Sequence, residues 1–133
     1  MNDVFLDTVG LLAVWDKADQ WHGAADAVYR KLLSRGRRLV TTEMVLLECG
    51  NAAARRPYRD RVQPLRQSLI QEGLLVVPAP EEAEEAWASY HRGEADEAGI
   101  VDQISFRVMR RLGLSEAFTN DQHFRAAGFT PMF

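Results

Sequence analysis

The chain has 133 residues, 47% of them apolar and 26% charged, with a net charge of −3. That composition excludes a disordered polypeptide. The single cysteine, Cys49, excludes a disulfide framework or thiolate zinc cluster, and no apolar run approaches the ~20 residues that span a bilayer. The length suits one domain over 1–133, and a chain that enters a strand-like segment at its start is expected to be cytoplasmic rather than secreted.

Val4-Phe5-Leu6 predicts a short buried strand ending in Asp7-Thr8. An apolar helix from Gly10 to Asp16 follows, and a second begins at Gln20, with Ala24, Ala25, Val28, Leu32 and Leu33 at helical spacing until Gly36. Leu39-Val40 reads as the second strand; Thr41 or Thr42 is a suitable N-cap for a helix over about Glu43 to Ala54. After Pro57 a long helix is predicted from Tyr58 to Glu72, with Pro64 marking a bend or a later start. Leu74 to Val77 has the continuous apolar character of a buried parallel strand. Pro80 opens a Glu-rich helix whose inward face is read as Ala83, Ala86, Trp87 and Tyr90. A polar loop over Gly93 to Gly99 leads to a helix from Ile100 to Leu112, then a fourth strand ending near Asp121, and a last short strand around Phe129 to Met132. Strands alternating with helices imply right-handed crossovers and a mainly parallel sheet of four to five strands covered on both faces.

Arginine dominates the basic residues, only Lys17 and Lys31 being lysines, and it clusters at Arg35/Arg37/Arg38, Arg55/Arg56/Arg59/Arg61 and Arg107/Arg110/Arg111. Arginine's planar fork suits phosphate, yet each cluster taken alone, like the acidic block Glu81, Glu82, Glu84 and Glu85, reads as a solvated helix face.

In open α/β sheets, ligands bind beyond the carboxyl ends of the strands. Asp7 and Asp121 follow the first and fourth strands and so share one sheet edge. Glu48 has Met44, Val45 and Ala52 as helix-face neighbours, an apolar setting in which a carboxylate needs compensation. Asp102 lies in the first turn of its helix. Each has an ordinary role open to it: an N-cap for Asp7 and Asp102, a salt bridge for Glu48. Together, four converging carboxylates would repel strongly unless a cation held them, and an oxygen-only set points to Mg²⁺ or Mn²⁺. His22, His91 and His123 show no paired ligand spacing; His123, close behind Asp121, is near enough to line the site, but a packed or capping role is expected of it. A carboxylate-held ion suits phosphodiester hydrolysis, with the ion activating water and screening phosphate charge. No Gly-rich phosphate loop is present.

Four patches, Phe5-Leu6-Asp7-Thr8, Thr42 to Glu48, Ile100 to Phe106, and Thr119-Asn120-Asp121-Gln122-His123-Phe124 with Ala127-Gly128-Phe129 behind it, resemble in order and spacing the PIN-domain nucleases, and among them the VapC-type toxins of toxin–antitoxin pairs. The resemblance spans essentially the whole chain. It implies a three-layer α/β/α fold and an Mg²⁺- or Mn²⁺-dependent endoribonuclease using one or two ions. It carries Asp7, Glu48, Asp102 and Asp121 over as the catalytic, metal-holding quartet. Asp7 and Asp102 are then the most direct ligands, and Glu48 and Asp121 bind directly or through water, or orient the attacking water. Thr8, Thr119 and Asn120 are implied as supporting residues. A homodimer, an RNA substrate and a small cognate antitoxin are implied as well. Two positions depart from the pattern: Val9 stands where many relatives have Ser or Thr, and Gly99 where many have Ser.

The alternative of another class is a catalytically silent PIN-like module that binds RNA or protein, against which stands the intact quartet. A phosphoacceptor domain of the receiver or haloacid-dehalogenase type fits poorly, because Val9 occupies the second acid's place and no lysine follows Lys31.

Overall fold

A computed structural model describes residues 3–133; Met1 and Asn2, part of the domain expected over 1–133, lie outside the described residues. Five strands form one parallel sheet: β1 (Val4–Leu6), β2 (Leu39–Thr42), β3 (Leu75–Val76), β4 (Glu116–Phe118) and β5 (Thr130–Pro131), in the order β3-β2-β1-β4-β5. β1 is central and wholly buried, Phe5 pairing with Val40 on one side and Ala117 on the other. Because every strand runs the same way, all carboxyl ends, including Asp7 after β1 and Thr119 to Asp121 after β4, meet at one edge.

The crossover helices are α1 (Thr8–Trp15), α2 (His22–Ser34), α3 (Glu43–Ala53), α4 (Val62–Gln71), α5 (Pro80–His91), α6 (Glu94–Glu97), α7 (Ile100–Leu112) and α8 (Gln122–Ala126). Helices α1 to α4 pack among themselves, and α5 to α8 form a second group. The three-layer α/β/α arrangement expected from the sequence is the one observed. Phe118 packs against Tyr29 of α2 and against Phe133, while Phe106, Phe124 and Phe129 make a separate aromatic cluster. None of the helices is long and apolar enough to cross a membrane among the described residues.

Some elements differ from expectation. The long helix expected from Tyr58 is a 3₁₀ turn over Arg59–Arg61 followed by α4, which places Pro64 in the first turn, where its missing N–H costs nothing. β3 is only half-buried and Val77 is 81% exposed, because this strand has a single neighbour and forms the sheet edge. On α5 the buried side chains are Ala86 and Ser89. Trp87 and Tyr90 stay outside, packed edge-to-face on each other, whereas Ser89 is drawn inward as the acceptor of a 2.7 Å hydrogen bond from Arg107 of α7. The expected polar loop contains a left-handed turn at Ala95, Asp96 and Glu97. Without glycine such a turn is costly; the buried Gln103 amide ties it down by donating to the carbonyls of Glu94 at 2.8 Å and Ala98 at 3.5 Å.

Candidate metal centre

The sheet's carboxyl edge opens into a crevice of about 560 Å³ lined by Asp7, Glu48, Asp102 and Asp121 together with Thr8, Val9, Asn51 and Ala52. Residues 114 positions apart in the chain thus meet because β1 and β4 are adjacent parallel strands. Asp7 occupies the N-cap position of α1 without capping it; its Oδ2 instead accepts a 2.8 Å hydrogen bond from the buried Thr119 hydroxyl. Thr119 Oγ1 also accepts the Asp121 N–H at 3.1 Å, so one side chain ties both strand-end acids together. Asp121 caps α8, its Oδ1 accepting from the backbone N–H of His123 at 2.9 Å and lying 2.6 Å from that residue's Nδ1. Glu48, exposed at the rim, accepts a 2.6 Å hydrogen bond from the Thr8 hydroxyl. Asn120 makes no side-chain hydrogen bond among the described residues.

The main chain fixes this geometry closely. At Gly10 the α1 backbone presses on β4: a Cβ there would lie 2.1 Å from the Phe118 carbonyl oxygen, a contact only glycine permits.

Among the described residues, the crevice carboxylates pair with no basic side chain except His123. Burial raises the Asp7 pKa to about 7, with Asp102 adding to the effect and the Thr119 hydroxyl opposing it. Asp102 is raised to about 6, again by burial first, then by Asp121 and Glu48, while His123 and the Gly99 backbone pull it back. Asp121 holds the His123 imidazole above its ordinary value. The free Cys49 behind the crevice is pushed up to about 12 by burial and by Asp7 and Glu48, which removes its thiolate from the chemistry. Carboxylates that are desolvated and mutually repelling, with no lysine or arginine against them, have a donor set that fits a hard divalent cation.

Sequence spacing ranks a packed or capping role for His123 above the place in the site that its nearness to Asp121 allows, and the structure puts it in the site. One ligand atom from each of Asp102, Asp121 and His123 can lie within 4.8 Å of the others, close enough to share an ion. A search for paired histidines has no means of finding this, because the other two donors are carboxylates, one at the N-cap of α8 and one on α7. Of the departures from the family pattern, Val9 lines the crevice without contributing a donor, and Gly99 acts through its backbone at the start of α7.

A family profile for the PIN domain matches residues 4–130. The 23S rRNA-specific endonuclease VapC20 from two strains of Mycobacterium tuberculosis is 31% identical over 134 residues, covering 95% of each chain. The crystal structure of Mycobacterium tuberculosis VapC20, described as a Sarcin-Ricin loop cleaving toxin, superposes with a TM-score of 0.74 at 27% identity over 96% of each chain. The chain therefore belongs to the PIN-domain family and, within it, stands with the VapC endonucleases.

Proposed function

We propose that the protein is a Mg²⁺- or Mn²⁺-dependent endoribonuclease that acts as the toxin of a toxin–antitoxin pair and takes structured ribosomal RNA as substrate. The observation that carries this reading is the set of four carboxylates lining one crevice with no lysine or arginine against them. The kinship with a 23S rRNA-specific endonuclease supports the choice of RNA.

Asp7 and Asp102 are assigned as the direct holders of the ion, with Asp121 and His123 beside them. When bound, the ion lowers the pKa of a water and screens charge building on the phosphate. Thr119 keeps Asp7 and Asp121 in register, and Thr8 aims Glu48. Glu48, at the exposed rim, is positioned to accept the proton of the attacking water and pass it to solvent. A silent RNA- or protein-binding module has no use for desolvated carboxylates that repel one another, so this alternative is not favoured. A small antitoxin, a homodimer and a cytoplasmic site of action belong to the same proposal.

The test is cleavage of purified bacterial ribosomal RNA, read by primer extension. A discrete cut in Mg²⁺ or Mn²⁺ that disappears in EDTA is expected. Cutting that persists in EDTA or in Asp7→Asn refutes the proposal.

A further inference from the structure

The protein's basic residues divide sharply by what they touch. Arg30, Arg37, Arg38, Arg66, Arg92, Arg107 and Arg111 are ion-paired to carboxylates. Arg59, Arg110 and Arg125 donate hydrogen bonds to neighbouring oxygens. Among the described residues, Lys17, Arg55, Arg56 and Arg61 make neither kind of contact, and only Lys31 and Arg35 share that condition. Lys31 and Arg35 lie beside Glu116, at the start of β4 and away from the acidic crevice.

Lys17, Arg56 and Arg61 instead face one cleft of about 640 Å³, formed where α1 ends and the α3–α4 connection begins. Trp15 and Tyr58, both half-buried, give it aromatic walls. Two carboxylates, Asp16 and Asp60, also reach it, but Asp16 Oδ1 already accepts the Ala18 N–H at 3.0 Å. The cleft adjoins the acidic crevice. Ala52, near the end of α3, lines the crevice, and Arg56, just past that end and four residues on, lines the cleft. Helices α1 and α3, packed side by side, connect the two.

We propose that this cleft holds a nucleotide of the RNA substrate flanking the cleaved bond, a reading that rests on the ribonuclease function above. The base stacks on Tyr58 and Trp15, and the neighbouring phosphates lie against Arg56 and Arg61. Aromatic faces accept any base by stacking and guanidinium groups bind phosphate without regard to sequence, so the cleft contributes affinity and strand direction. Charge chooses RNA over a protein partner: Lys17, Arg56 and Arg61 outnumber the two acids of the cleft and make no ion pair among the described residues, and they sit next to a crevice whose own charge repels phosphate and leaves backbone binding to its surroundings.

The experiment measures anisotropy of a fluorescein-labelled single-stranded oligouridylate with the whole protein in EDTA across a salt series, alongside cleavage kinetics on ribosomal RNA. For Arg56→Gln/Arg61→Gln, the expected results are a dissociation constant raised about tenfold, a salt slope smaller by about two, and a raised KM with kcat little changed. Tyr58→Ala should weaken binding about five- to hundredfold without altering the salt slope, and Tyr58→Phe should restore it. Lys31→Gln/Arg35→Gln makes the same change in net charge elsewhere and should bind as wild type. If the two double variants behave alike, or if the cleft variants bind as the unaltered protein does, the cleft is not the nucleotide site. A protein that neither binds the oligonucleotide nor cuts ribosomal RNA would refute the ribonuclease reading itself and this inference with it, whereas normal cutting with inert cleft variants removes this inference alone.

Discussion

Two parts of the molecule are rich in acid, and they treat it in opposite ways. On α5, Glu82 accepts the Ala79 N–H at 2.7 Å and pairs with Arg111 at 2.9 Å, while Glu85 pairs with Arg107 at 3.3 Å. Glu82 is held below the ordinary carboxylate range by Arg111 first, the Ala79 N–H adding to it. In the crevice, Asp7 is raised by burial first and then by Asp102, and Asp102 by burial first and then by Asp121 and Glu48, with hydroxyls and a histidine for company. Glu82 and Glu85 on α5 are stabilised by arginines already in the chain. The carboxylates at the sheet edge have no such partner, and either a proton or a cation from outside would relieve them, which suits the proposed ion site.

The largest contrast is in turnover. Asp102→Asn removes a carboxylate from the crevice and should lower ribosomal RNA cleavage about a thousandfold or more, since metal-assisted hydrolysis draws several kcal/mol from its ion. Glu84→Gln on α5 should cleave at the wild-type rate. Equal loss in both variants would erase the distinction between the two regions.

The next contrast is in stability against pH. Asp7 ionises near 7 in the fold but near 3.8 when unfolded, so between those values the native state binds more protons and stability falls as pH rises. Asp102, at about 6 in the fold, adds a loss of the same sign at somewhat lower pH. In EDTA, thermal melts from pH 5 to 8 should show a decline that levels off above about pH 7, on the order of a few kcal/mol in all. Mn²⁺ or Mg²⁺ added at pH 8 should reverse it, and Asp7→Asn should flatten the decline and shrink the ion's effect. A flat profile for the unaltered protein would mean that the crevice acids are already compensated.

The smallest effect belongs to α5. Glu82→Gln should cost less than about 1 kcal/mol, the ordinary value of an exposed ion pair, with activity intact. Its sign with pH is opposite to that of Asp7: the depressed Glu82 pKa stabilises the fold above the usual carboxylate value, and the contribution is lost as pH falls through the folded pKa. Urea melts at pH 7 and pH 3 should show the gap between Glu82→Gln and wild type closing on acidification.

Much of this was legible in the chain because a parallel sheet turns order into position. Once Val4–Leu6 and the strand before Thr119 are read as parallel neighbours, Asp7 and Asp121 must share an edge. Helices that start there bring Glu48 and Asp102 with them. What escaped was set by pairing across the chain. Whether an arginine is committed depends on partners such as Glu116 for Arg37, 79 residues away, so the sequence showed three similar clusters where the fold leaves one without acid partners. The inward face of α5 was missed because Ser89, a polar residue, is buried by a bond to Arg107, and hydropathy then assigns Trp87 and Tyr90 to the wrong side. His123 ranks low as a ligand in the sequence because only Asp121 of its fellow donors is near it in the chain, Asp102 standing on α7.

The contact at Gly10 has one more consequence. Because main chain meets main chain there, the gap between the start of α1 and the end of β4 cannot be retuned by repacking side chains. The chain has already met the cost of assembling its negative ring by the time folding is complete, so under the proposed mechanism an arriving ion would have only to shed water, not to gather its ligands. Gly10 touches no reacting atom, yet widening that seam by a single methyl would strike at affinity for the ion and at folding together.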